Sequence, residues 1–273
     1  MVPLFWQFSV VRDFFYSLVS LIQLPMRMLG TVVFLFVSVT IASPAEVFTT
    51  AQPGMWSARG VYLWPGPTAI ADFPAAGRQL RISAPDRKTV LEVRDSEARV
   101  TFPNGKPSGA FVVEGLAEIL WAPNAAAFAL TESDGGWAGS WSVRVGQLSP
   151  SGDLRFREIG RSVSKDFYVR ISKRHCPEYA NVGAVSWING AEELLLVAEA
   201  PPHSSCPVMT AVCGYVVAVP SGTIRRRIGF QALKKKWGNA LGSRLKKANN
   251  PAAPGGEDEP IQIDCDETLP RRG

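Results

Sequence analysis

The chain is 273 residues long, 46% hydrophobic and 19% charged, and its 29 Lys and Arg against 24 Asp and Glu give a formal net charge of +5. That balance excludes a disordered or collagen-like chain and leaves room for one domain, or two small ones, with a real hydrophobic core. Mild basicity spread over a whole chain does not by itself name a partner, but its distribution can.

The first element is apolar: residues 29–41 carry no charge. The run is too short to span a bilayer, which needs ~20 apolar residues. Arg27 stands before it and the small residues Ala42, Ser43 and Ala45 follow, the order of charge, apolar core and cleavage site that export requires. Cleavage after Ala45 would start the mature chain near Glu46, in a periplasmic or other extracytoplasmic compartment. Residues 2–24 form a second apolar stretch broken by Arg12 and Asp13, an unusual preface to a signal. Translation is therefore expected to start at Met26 or Met28. The competing reading is an uncleaved two-segment anchor, although neither segment is a clean span. A mature chain without Arg12, Asp13 and Arg27 keeps 27 basic and 23 acidic residues.

From residue 61 to 227 the pattern is that of strands, short β-branched and aromatic runs cut every ~8–12 residues by Gly, Pro, Asn, Asp and Ser. Runs at 89–93, 110–113, 128–131, 141–148, 167–171, 194–198 and 215–219 are expected strands, and no helix pattern appears before Ile228. Trp141-Ser142-Val143-Arg144-Val145 alternates as a sheet with one wet face does. The fold class expected for residues 46–227 is all-β, an antiparallel meander, open or sandwich-like.

An internal repeat runs through it. Ser149-Pro150-Ser151-Gly152-Asp153-Leu154-Arg155 aligns with Val219-Pro220-Ser221-Gly222-Thr223-Ile224-Arg225, and glycine in each supplies the positive backbone angle of a tight hairpin. Ahead of each lie a tryptophan (Trp121, Trp187), a turn (Pro123-Asn124, Asn189-Gly190), an apolar strand, a long loop and an alternating strand. A fainter copy begins at Ser83-Ala84-Pro85-Asp86. This plan resembles single blades of β-propellers of the WD40-like and TolB-like kind, over roughly residues 80–227. The resemblance implies two to three blades, fewer than the ~4–8 of a closed ring, so the array would be open or would close by oligomerisation. An ordinary β-sandwich whose hairpins share a turn is the alternative.

The segment 131–141 joins glycines to aromatics, and Asp134, Gly135, Gly136, Trp137 and Trp141 are the candidates for contacting a ligand or partner. Ser162-Val163-Ser164-Lys165 spells the Ser-x-x-Lys of penicillin-binding enzymes, but that chemistry needs a helix start and a strand is expected next. No Gly-x-Ser-x-Gly, His-Glu-x-x-His or Walker pattern occurs. Cys176, Cys206, Cys213 and Cys265 are an even set, which after export points to disulfides: Cys176 with Cys206 or Cys213, and Cys265 tying the tail back. The same region holds both histidines, so His175, Cys176, His203, Cys206 and Cys213 form the one set with metal-ligand chemistry, at a spacing that matches no standard zinc site. No cofactor is expected.

Phe230, Leu233, Trp237, Leu241 and Leu245 fall at helical spacing, predicting a helix over 231–247 within a basic amphipathic segment, 228–248. Around it stand Arg225, Arg226, Arg227, Lys234, Lys235, Lys236, Arg244, Lys246 and Lys247 with no acid among them. The first seven are the candidate face for an anionic membrane surface or partner. The alternative is a helix packed on the β domain with a solvated basic side. Residues 249–273 are Pro-, Gly- and Ala-rich, then acidic, and read as a disordered tail. The functional expectation is an exported protein that binds or scaffolds in the envelope, to a protein or envelope component and not to nucleic acid. An envelope hydrolase with an unrecognised site is the alternative.

Overall fold

The computed structural model describes residues 52–63, 79–94, 96–113, 116–133, 140–172, 179–201, 209, 211–247 and 265. All belong to one compact unit, Glu46–Gly273. The export signal and most of the tail lie outside the described residues.

Among the described residues, fourteen strands make three antiparallel sheets, none of them closed. The first sheet is β3(Gln79–Ser83), β4(Val90–Arg94), β5(Glu97–Thr101) and β6(Phe111–Val112) in that order. The second runs β1(Gln52–Pro53), β2(Val61–Tyr62), β7(Leu116–Trp121), β8(Ala127–Ser133), β9(Trp141–Leu148) and β10(Leu154–Glu158). The third runs β11(Asn181–Ile188), β12(Glu193–Glu199), β13(Val212–Ala218) and β14(Ile224–Gly229). In each, four strands consecutive in sequence pair as neighbours. Trp121 ends β7 and Trp187 lies in β11, the first meander strands of their sheets. The two Pro-Ser-Gly turns join β9 to β10 and β13 to β14, with Gly152 at φ 92 and Gly222 at φ 69.

The period-2 pattern of the strands decides how the sheets pack, because alternate residues face opposite ways. Ile119, Phe128 and Leu130 of the second sheet meet Leu91, Val93 and Val100 of the first. Its other face, with Leu120, Ala129, Val143 and Val145, meets Val182, Ala184, Leu194 and Leu196 of the third. The second sheet is thus covered on both faces, and each fully buried leucine or valine contributes roughly 1.5–3 kcal/mol. The outer face of the third sheet, with Val185, Leu195, Val197 and Val216, is covered by Trp56, Phe230, Leu233, Leu241 and Leu245. The outer face of the first sheet is instead charged, with Arg81 beside Glu92 and Arg99 beside Glu97.

Two expectations are corrected. Residues 167–171 are not a strand: α1(Gly160–Phe167) and a wider π turn, Tyr168–Ser172, occupy this segment. Val163 and Phe167, one helical turn apart, are wholly buried between the second and third sheets, and that packing overrides the strand preference of the sequence. Ser162 and Lys165 therefore do sit near a helix start, but the Ser162 hydroxyl bonds the carbonyls of Ile159 (3.1 Å) and Gly222 (2.8 Å), and Lys165 is exposed.

The expected helix at 231–247 is two helices, α2(Phe230–Trp237) and α3(Ser243–Lys247). The break falls where the chain docks on the N-terminal segment: Ala58 N–H bonds Ala240 C=O and Gly242 N–H bonds Trp56 C=O, both at 2.8 Å. Close approach also explains Gly183, since a Cβ there would lie 2.0 Å from the Trp56 ring.

Candidate functional site

The basic segment is the candidate that the described residues build most completely, and it starts from buried charge. Arg227 of β14 is 7% exposed. Its Nε and Nη2 donate to the two carboxylate oxygens of Asp166 on α1 at 2.8 and 2.6 Å, and Arg170 reaches the same carboxylate at 3.4 Å. Burial alone would push the Asp166 carboxyl up, but the Arg227 hydrogen bond and charge, aided by Arg170, outweigh it and hold the group below the usual carboxylate range. Tyr215, buried beside the pair, is pushed up by burial and then by the Asp166 charge.

Arg244 of α3 is absorbed in the same way, its Nε 2.8 Å from Glu199 at the end of β12 and its guanidinium 5.1 Å over the Trp56 ring. Burial raises the Glu199 carboxyl, opposed by Arg244. Trp56 in turn meets Trp141 edge-on at 5.8 Å. Trp141, a candidate for partner contact, is 5% exposed and belongs to this core.

A third carboxylate fixes the segment that carries Trp56. Glu118 on β7 is 1% exposed and accepts the backbone N–H groups of Met55 (2.7 Å), Trp56 (2.9 Å) and Ser57 (2.8 Å). Burial pushes its carboxyl up to about 7, against the pull of these three donors toward the ionised form. The approach is so close that a Cβ on Gly60 would lie 2.0 Å from Glu118 Oε1.

These pairs sort the nine cations. Arg227 and Arg244 are turned inward, whereas Arg225, Arg226, Lys235, Lys236, Lys246 and Lys247 are exposed and Lys234 is half-buried. Lys236 Nζ lies 4.4 Å and Arg226 Cζ 5.7 Å from the Trp237 ring, and Lys234 Nζ 4.6 Å from that of Phe230, so aromatic faces hold part of this charge in place. Lys234, Lys235 and Lys236 also fill the last turn of α2, where the helix dipole favours cations. The apolar stripe is spent on the core, with Leu233, Leu241 and Leu245 buried and Trp237 half-buried. What the helices offer outward is therefore charge rather than an insertable apolar face.

Cys213 and Cys265 are bonded, with Cα atoms 6.0 Å apart, so Cys265 does tie the tail back, but the expected alternative of Cys176 with Cys213 is corrected and Cys213 is not available as a metal thiolate. No group of three metal-binding side chains occurs among the described residues. Cys176, Cys206, His175, His203, Asp134, Gly135, Gly136 and Trp137 lie outside them.

Depressions of the described surface include two of similar size. One, of about 390 Å³, lies on the charged outer face of the first sheet and is lined by Glu92, Arg94, Glu97, Arg99, Thr101 and Pro107. The other, of about 440 Å³, is apolar and lies among the hairpin turns of the first and second sheets. Comparison with protein-family models, with curated proteins and with solved structures found no match for this chain.

Proposed function

We propose that this chain is an exported β-repeat protein that binds or scaffolds in the cell envelope, docking through its basic C-terminal face on an anionic surface. The sorting of the nine cations carries this reading: two are absorbed in buried pairs, while the other seven lie outward or at the surface, with no acid between residues 212 and 247. The three four-strand meanders, with tryptophans and Pro-Ser-Gly turns at matching places in two of them, support the blade-like repeat. A ring completed by further copies is disfavoured, because helices cover one end of the stack and charges cover the other.

The hydrolase alternative asks for a cleft lined by polar groups of shifted acidity. Tyr62, Glu118, Asp166, Glu199 and Tyr215 have such shifts but sit in the interior network, whereas Asp86 is an exposed turn residue whose carboxyl, pushed up by burial, is held down by the Thr89 and Lys88 N–H groups and the Thr89 hydroxyl; none of the six lines the two depressions described above.

Cosedimentation with vesicles of phosphatidylglycerol and phosphatidylcholine tests the face. Each exposed cation contributes about 1 kcal/mol near such a surface, so the variant Arg225→Gln, Arg226→Gln, Lys235→Gln, Lys236→Gln loses about 4 kcal/mol, roughly a thousandfold. Added salt should release the unaltered protein. Equal binding to pure phosphatidylcholine, or an unchanged affinity of the variant, would rule out this docking mode.

A further inference from the structure

Helix α1 and the π turn after it carry exposed side chains that the fold does not use. Val163 and Phe167 face the core. Ser162 and Asp166 face β14, the first through the Gly222 carbonyl at 2.8 Å and the second through Arg227 at 2.6 and 2.8 Å. The remaining side of the helix is open to solvent. Arg161, Lys165 and Val169 recur there at intervals of four, the spacing that stacks side chains along one face, and all three are exposed. Val169 is 55% exposed, and Tyr179, whose ring lies 5.0 Å from that of Tyr168, is 65% exposed. An aliphatic and an aromatic side chain thus stand in water at the end of a basic stripe.

The charge around the stripe is positive. Residues 154–170 hold two carboxylates, Glu158 and Asp166. Asp166 is shared by Arg227 and Arg170, two cations to one anion, so that cluster stays positive. Glu158 accepts the Ser142 hydroxyl and the Gly160 N–H, at the opposite end of α1 from Val169. On the other flank of α1 runs β14, the last strand of its sheet, with Arg225 and Arg226 exposed. Arg226 in turn lies over Trp237 of α2. The α1 stripe and the basic C-terminal face are therefore the two flanks of one strand edge.

Cations beside an exposed aromatic and an exposed aliphatic side chain match the interface of an anionic bilayer, where lysine and arginine meet phosphates and tyrosine settles at the level of the headgroups. A soluble polyanion would use the cations and leave Val169 and Tyr179 without a role. We propose that the α1 stripe is a second lipid contact: Val169 and Tyr179 enter the headgroup region, Arg161 and Lys165 engage lipid phosphates, and the edge of β14 is turned toward the bilayer. The proposal rests on the reading of the basic face as docking on an anionic surface and deepens it, naming lipid as that surface and α1 as part of the footprint. Two side chains at headgroup depth add little beside the cations, so added salt still releases the protein.

The test is cosedimentation of the recovered protein with the phosphatidylglycerol and phosphatidylcholine vesicles at several salt concentrations. Arg161→Gln with Lys165→Gln should lose about thirtyfold in affinity and flatten the salt dependence. Val169→Ser with Tyr179→Ser should lose about tenfold with the salt dependence unchanged. Val169→Leu, one methylene larger at an exposed position, should bind about threefold tighter, a gain that no folding defect produces. Lys88→Gln with Lys106→Gln, exposed cations in the turns of the first sheet, should change affinity by less than about twofold. Unchanged affinity in the first two variants, no gain in Val169→Leu, or an equal loss in the Lys88 and Lys106 variant would overturn the proposal. The four-glutamine variant of the basic face separates the two readings. If it loses binding while the α1 variants keep theirs, the stripe alone is overturned; if the α1 variants lose binding while it keeps its own, the basic-face reading alone is overturned. An unaltered protein that leaves these vesicles unbound overturns both.

Discussion

Replacing Glu118 with alanine lowers the unfolding free energy by about 4 kcal/mol and loosens the segment that carries Trp56. The carboxylate is the acceptor for three successive buried N–H groups, those of Met55, Trp56 and Ser57. Each buried donor left without a partner costs about 1–3 kcal/mol. The loss spreads beyond the strand, because Trp56 lies under Arg244, against Trp141 and against the backbone at Gly183. Urea denaturation gives the magnitude, and hydrogen exchange at the three amides gives the location. Glu118→Gln retains one acceptor oxygen but points an amide at a donor, so its expected loss is about 2 kcal/mol. A change under about 1 kcal/mol in Glu118→Ala, with the three amides still protected, would mean that this clamp does not hold the segment.

Arg227→Ala has the second large effect, a loss of about 3–5 kcal/mol, because it strands the half-buried Asp166 carboxylate against Tyr215 without its bidentate partner. Asp166→Ala should cost a similar amount, and the double variant much less than the sum of the two, a coupling that a double-mutant cycle reads directly. The pair also fixes a pH dependence. The folded-state carboxyl is held below its ordinary value, so this stabilisation is present above the ordinary aspartate range and is lost as pH falls through the lower, folded-state value. Asp166→Asn should remove that acid limb. Strictly additive single variants, or an acid limb unchanged in Asp166→Asn, would show that the pair contributes nothing specific.

The sheets were legible in the sequence because strand periodicity and turn chemistry are local. The alternation at 141–148 became β9 with the same bounds, and both Pro-Ser-Gly segments became hairpin turns. Helix α1 was hidden for the opposite reason. Residues 167–171 have the composition of a strand, and only the space between two sheets makes Val163 and Phe167 a helical pair.

The charge network was invisible as pairs, since Arg227 and Asp166 are 61 positions apart and Arg244 and Glu199 are 45 apart. A partial signal existed: Glu118 and Glu199 are lone carboxylates at the middle or end of apolar runs, where a charge persists only if something satisfies it. Reading Arg227 and Arg244 as surface charge followed from treating a basic run as one face, and only the register of β14 and the break at Gly242 separate the inward residues from the outward ones.

The most direct measurement is fractionation of the host cell with intact mass of the recovered protein before and after reduction and alkylation. The expected protein begins near Glu46, stays with the envelope at low salt and is released at about 0.5 M salt, where screening acts within ~4 Å. Cys213 and Cys265 should take up alkylating reagent only after reduction. A protein that keeps its N-terminal apolar segments, that leaves the envelope only in detergent, or whose Cys213 is alkylated without reduction would contradict an exported module held by its basic face.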